Sequence, residues 1–366
     1  MKNIFFKLFL VLAVAFVVPS CTEDFEEINT NPNAPTSVTT SLLLPQVQRD
    51  VINQVLGEAW GIGNIVVQHT AKNQFVNEDR YLWGEINGIW NSVYDNMRDV
   101  NNIIAQSEEL GQNNYKGIAL IMKSWMFSLV TDAYGDAPYS EAGRGKEGFI
   151  YPKYDTQEAI YNGILADLKT ANDILSVTGE VVSGDVIFNG DITKWRKLAN
   201  SLRVRYLMRI SRVKNVADDL AAIINAPATT PIFTSNTDNA VYSFLSASPD
   251  QFPLHTARIG SFNEFRASQT LMTKLQMLND ERLPIFFRPT PATEGTASLV
   301  YAGIPNGLND VEALQFNGGP QFQSRISDLF YEQAVSSRGL SIAKGVIMTY
   351  AELQFLLAEA SAKGLI

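Results

Sequence analysis

Apolar residues recur at helical spacing along most of this chain. Between 156 and 176, Ile160, Ile164, Leu168, Ala171 and Leu175 fall on one face. Asp155 and Glu158 stand where the N-terminal cap of that helix is expected. Between 191 and 212 the apolar face is Ile192, Trp195, Leu198, Leu202 and Tyr206, and the other face carries Lys194, Arg196, Lys197, Arg203, Arg205 and Arg209. Residues 114–133 are apolar nearly all round, from Ile118 through Trp125 to Val130, which predicts a central helix. Residues 86–110 keep Ile86, Trp90, Val93, Met97, Val100 and Ile104 in step. Helical patterning begins at Ser41. It ends with a segment opened by a Thr349/Glu352 capping box, whose apolar side is Leu353, Leu357 and Ala360. The helices come in pairs of similar length, which predicts a mostly α fold with tetratricopeptide-like helical repeats. Long irregular loops rich in Gly, Pro, Asn and Ser are expected at 134–155, 226–262 and 284–325, with few short β segments, one near Val241–Phe244. The face of the last helix has nothing after it to pack on, so the helical array is expected to be truncated at the C-terminus.

The first residues follow a different pattern. Lys2 and Lys7 precede an apolar run from Leu8 to Val18, shorter than the roughly 20 residues a membrane span needs. Residues 1–20 therefore read as a signal peptide. Val18-Pro19-Ser20-Cys21 is similar to a lipobox, which makes Cys21 the expected site of lipidation. Cys21 is the only cysteine, so no disulfide is available and stability must come from a hydrophobic core. Residues 21–38 are expected to form an acidic, Asn- and Pro-rich tether, with residues 39–366 as the folded body. The net charge of −9 becomes more negative once Lys2 and Lys7 are lost, which argues against nucleic acid as a partner.

Catalytic constellations are missing from the pattern. His69 and His255 lie far apart, and neither has a second His or Cys at zinc-ligand spacing. No G-x-S-x-G elbow occurs, and Gly143–Gly148 lacks the Ser or Thr after lysine that a phosphate loop requires. The chain is read as a non-enzyme with no cofactor and no metal. Calcium stays open as a weak alternative at Asn29, Asn31 and Asn33, or around Asp185, Asn189 and Asp191. A glycosidase carboxylate pair is also open as an alternative, although Glu108-Glu109 and Asp218-Asp219 read as solvated faces. The basic face of 191–212 is expected to pair with acidic helices.

Several blocks, in order, resemble the SusD/RagB family of nutrient-binding outer-membrane lipoproteins: INTNPNAPT (28–36), SLLLPQVQ (41–48), IMKSWMFSLVTDAYGDAPYSEA (121–142), YDTQEAIYNGILADLKTANDIL (154–175), GDITKWRKLANSLRVRYLMRIS (190–211), LNDERLPIFF (278–287) and MTYAELQFLLAEASAKG (348–364). The resemblance implies a helical body that captures an oligosaccharide, or in some members a peptide, at the outer face of the outer membrane. It also implies delivery to a SusC-like, TonB-dependent β-barrel transporter. Sugar rings need aromatic platforms and polar edge contacts. One loop has that mixture: Asn73, Gln74, Phe75, Asn77, Asp79, Arg80, Tyr81 and Trp83. A second candidate is Asp250, Gln251, Phe252 and His255. Core packing at a helix start competes with binding for Tyr81 and Trp83, whereas Trp90, Trp125 and Trp195 read as core.

Overall fold

The computed structural model describes residues 38–246, 250–254, 259–330 and 344–366. The expected signal peptide, Cys21, the Asn29–Asn33 stretch, the rest of the tether up to residue 37, and His255 lie outside the described residues. Thr39–Ile366 is one compact unit. Its main helices are α1 (Thr40–Glu58), α2 (Gly88–Leu110), α3 (Asn113–Tyr134), α4 (Gln157–Ile174), α5 (Ile192–Ile210), α6 (Ala217–Ile224), α7 (Gln269–Met277) and α8 (Tyr350–Ala362). From α1 to α5 each helix packs on the next, the stacked-pair arrangement of tetratricopeptide-like repeats. α3 is enclosed on nearly every side, because its all-round apolar sequence has no face fit for water. Among the described residues no helix is long and apolar enough to cross a membrane.

Local chemistry sets the helix ends, in places differently from the expected caps. Thr156, not Asp155, caps α4, its hydroxyl accepting from Ala159 N at 3.2 Å. Asp155 instead accepts from Ser140 N at 2.7 Å and from Tyr139 N at 3.2 Å, tying the 134–155 loop down. Thr349 caps α8 by accepting from Glu352 N at 3.1 Å. The Glu352 carboxylate completes no capping box; it takes a two-pronged contact from Arg205 at 2.6 and 2.5 Å. α8 is therefore not unpartnered: it packs on α5 and buries Leu353 and Ala360. The basic face of α5 finds acids as expected, Lys197 on Asp238 at 2.9 Å and Arg209 on Asp132 at 3.2 Å.

Close approaches exclude a side chain at Gly163 and Gly184. A Cβ at Gly163 would stand 2.4 Å from the Tyr139 ring, which lies over α4 and donates its hydroxyl to Asp167 at 2.7 Å. A Cβ at Gly184 (φ +79°) would stand 2.2 Å from Ser41 O. That carbonyl lacks its usual helical donor because residue 45 is proline.

The neighbouring Asp185 corrects the calcium alternative around Asp185, Asn189 and Asp191. Its buried carboxylate accepts from Gln48 Nε2 at 3.0 Å, Ile187 N at 3.0 Å, Phe188 N at 3.3 Å, Gly190 N at 2.8 Å and Trp195 Nε1 at 2.7 Å. Its lone pairs are taken by N–H donors, so it locks the α4–α5 connection to α1 and α5 and offers a cation nothing.

Among the described residues two small antiparallel sheets form, one of them using the β segment expected near Val241–Phe244. β2 (Ala240–Ser243) pairs with β4 (Lys344–Met348), with a bulge between Ala240 and Val241. β1 (Thr70–Lys72) pairs with β3 (Phe265–Ala267), Thr70 opposite Ala267 and Lys72 opposite Phe265. Around β3 a second apolar core forms from Ile65, Phe265, Met272, Leu275, Leu283, Phe287 and Ile326. These residues are too far apart in the chain for periodicity to connect them.

Candidate functional site

β1 feeds directly into the 73–83 loop, and the surrounding chain clamps that loop. Asn73 N donates to Glu264 O at 2.9 Å, and its Nδ2 donates to Gln323 Oε1 at 3.1 Å. Asp79 accepts from Asn306 Nδ2 at 2.6 Å and Gly307 N at 3.3 Å, and Val76 N reaches Asp310 Oδ1 at 3.4 Å. Lys72, buried at the loop base, pairs with Glu78 at 3.0 Å. Within the loop, Arg80 N donates to Val76 O at 3.0 Å and Leu82 N to Asn77 O at 2.8 Å. Asn73 and Asp79 are buried and frame the loop from within.

The remaining expected residues face outward. Gln74, Asn77 and Arg80 are exposed. Phe75 is 68% exposed, Tyr81 55% and Trp83 37%, so core packing loses for Tyr81 and Trp83. Tyr81 and Trp83 meet edge-to-face with centroids 5.1 Å apart. Phe75 and Tyr81 both sit in left-handed backbone, at φ +52° and +57°. That conformation costs an L-residue roughly 1–2 kcal/mol, and bulky residues there are outliers. Gln74 and Phe75, with Asp310, Val311, Leu314 and Gln315, line a shallow cavity of about 340 Å³.

Burial is the largest influence on Asp79 and raises its pKa, against the lowering hydrogen bonds from Asn306, Gly307 and Lys72 N. The folded state therefore holds this proton more tightly than the unfolded chain does. The resulting stability is complete below the ordinary value of 3.8 and is lost as pH rises through the elevated one. Thermal unfolding of Asp79→Asn and of the unaltered protein checks this: the variant is expected to gain on the parent as pH rises from 4 to 7.

The second expected group divides as well. Asp250 accepts from Tyr242 Oη at 2.7 Å and lies 3.5 Å from Arg49, and Gln251 Nε2 donates to Ser246 O at 2.8 Å. Phe252 packs edge-on against Phe244, 5.1 Å between centroids, and lines a cleft of about 630 Å³ with Trp60, His69, Arg282 and Phe286. Trp60 rides on a π-helical turn, Ala59–Gly63, that ends α1, its ring parallel to Phe262 at 5.4 Å. Helical spacing gives no sign of that turn; the glycines at 57, 61 and 63 are the available signal. Trp125 and Trp195 are buried as expected. Trp90 is not: it is half-buried in a cluster with Tyr94 (4.7 Å), Tyr134 (5.3 Å) and Tyr154 (6.3 Å). Among the described residues, no group of three or more His, Cys, Asp and Glu is placed to hold a metal ion.

Solved structures share this fold. An outer-membrane protein from Bacteroides vulgatus is 27% identical, with a TM-score of 0.74 over 90% of this chain and 70% of its own. A SusD homologue from Bacteroides fragilis is 26% identical, with a TM-score of 0.72 over 90% of this chain and 69% of its own. A chitin-binding protein is 27% identical, with a TM-score of 0.69 over 89% of this chain and 70% of its own. No curated protein matches the chain. The family model described as starch-binding and associating with the outer membrane matches residues 32–366. From the stacked helices to the clamped loop, this chain belongs to the SusD-like family.

Proposed function

We propose that this protein is a cell-surface lipoprotein that captures an oligosaccharide on the Phe75–Trp83 loop and delivers it to a SusC-like TonB-dependent transporter. In this reading residues 1–20 are removed, Cys21 carries the acyl chains, residues 21–38 are the tether, and the body binds its ligand without chemistry. Membership of a starch-binding, outer-membrane-associating family supports it, as does the likeness to a chitin-binding protein. The observation that carries the site is the pairing of strain with exposure. Two large aromatic residues occupy backbone that glycine would fill at less cost, they face solvent, and buried hydrogen bonds fix the loop beneath them. Strain held in place by surrounding structure marks functional positions, and a preset loop loses little entropy on binding.

The test is calorimetric titration against glycan and peptide panels. Trp83→Ala and Tyr81→Ala are each expected to weaken binding by about 1 kcal/mol or more. Tyr81→Gly separates binding from folding: it is expected to hold or raise thermal stability while still weakening binding. Unchanged affinity in all three proteins would remove the loop from the site. Tighter binding of peptides than of any glycan would replace the ligand class. Intact-mass analysis of the membrane fraction checks acylation at Cys21.

A further inference from the structure

Three arginines stand side by side across neighbouring strand segments. Arg266 of β3 is bridged antiparallel to Arg325, and Phe287 is bridged in the same sense to Ile326. The second bridge sets Arg288 opposite Arg325, and Arg288 N donates to Arg325 O at 2.9 Å. Residues directly opposite one another share a sheet face, and their neighbours point the other way. The guanidinium groups therefore share one face, while Phe287 and Ile326 line the 630 Å³ cleft on the other. Like charges in such a row destabilise the pairing unless something neutralises them.

The protein supplies only part of that neutralisation. Glu294 is shared by Arg288 and Arg325, the latter at 3.1 Å, and Asp328 contacts Arg288 at 2.9 Å. Among the described residues Arg266 contacts no carboxylate, and its Nη1 donates to the main-chain oxygens of Asn263 and Phe265. Its Nε is enclosed with no acceptor, and so is the Nε of Arg325. Arg266 is 5% exposed, and burial with the adjacent Arg325 brings its pKa down to about 10. A buried cation without a partner is costly. Among the described residues the carboxylates on the row, Glu294 and Asp328, pair with Arg288 and Arg325 and not with Arg266. The row is open at one end, where the Arg288 and Arg325 side chains are 32% and 27% exposed, and closed at Arg266.

We propose that this arginine row is a binding site for an oxyanion of the carboxylate or sulfate class, entering past Arg288 and Arg325 toward Arg266. Planar guanidinium forks match such groups with paired, charge-assisted hydrogen bonds. On the nutrient-binding reading, which this step extends and on which the sugar source rests, the captured oligosaccharide is acidic.

The experiment titrates the mature protein at constant ionic strength with trigalacturonate, neutral galactotriose and sodium sulfate. The expected result is saturable binding of trigalacturonate at least ten-fold tighter than galactotriose. Arg325→Gln and Arg266→Gln are expected to abolish that preference, while Trp83→Ala weakens both sugars by the same factor. Arg325 is partly exposed, so its variant reports even where Arg266→Gln fails to fold. Saturable sulfate binding that Arg325→Gln removes, without sugar binding, keeps the site and assigns it to a free anion; the nutrient reading then loses support. No saturable binding of either anion overturns the site, as does an anion preference that survives Arg325→Gln in a folded protein. Neutral sugar binding at the loop would in that case leave the nutrient reading standing.

Discussion

Replacing Asp185 with alanine is expected to destabilise the protein by about 4 kcal/mol, the order reached when several buried donors lose their shared acceptor at once. Equilibrium urea unfolding followed by tryptophan fluorescence measures it as a fall in midpoint. The reason lies in what is left behind. Gln48 Nε2, the main-chain N–H groups of Ile187, Phe188 and Gly190, and Trp195 Nε1 all point at this carboxylate. Most of these donors are enclosed, and each one stranded costs about 1–3 kcal/mol before relaxation. Asp185→Asn should fall between the two, since an amide keeps one acceptor and brings donors that clash with those present. A change of less than about 1 kcal/mol in the alanine protein would mean that water replaces the carboxylate and that the hub does not hold the helices together.

Phe127→Ala is the second large effect, expected at about 3–5 kcal/mol for a buried aromatic truncated in a packed core. Phe127 is fully enclosed on α3 and meets Tyr139 edge-to-face at 4.8 Å and Tyr94 at 6.0 Å. Those rings come from the 134–155 loop and from α2, so the cavity would open where three elements converge. Calorimetric unfolding reads the loss, and Phe127→Leu, which keeps most of the volume, should recover much of it. A small loss in the alanine protein would show that the 134–155 loop collapses into the space.

The two residues also mark how far the sequence can be read. Phe127 lies in a segment apolar on every side, and such a segment has only one place to go. One-sided apolar spacing located α2, α4 and α5, and Trp125 of α3 and Trp195 of α5 are buried as read from it. Asp185 carries no comparable signal. Its neighbours Asn189 and Asp191 suggested oxygen ligands for a cation, and only the fold shows the carboxylate filled by N–H donors. The 73–83 loop was legible as a mixture of aromatic and polar residues. Its division was not: Asn73 and Asp79 became buried anchors because Gln323 and Asn306 arrive from more than 200 positions away.

Local pattern by itself determined the mostly helical class, the positions of the long helices and the loop that bears the aromatic residues. These follow from side-chain spacing, and the hydrophobic effect acts on spacing wherever the chain is later placed. Tertiary structure alone decided which loop residues face water, that Trp90 sits half-exposed among tyrosines, and that Arg266, Arg288 and Arg325 form one row. The loop and Trp90 depend on contacts between distant segments; the arginine row depends on strand register, and a single-residue slip of one of those strands would turn its arginine to the opposite face.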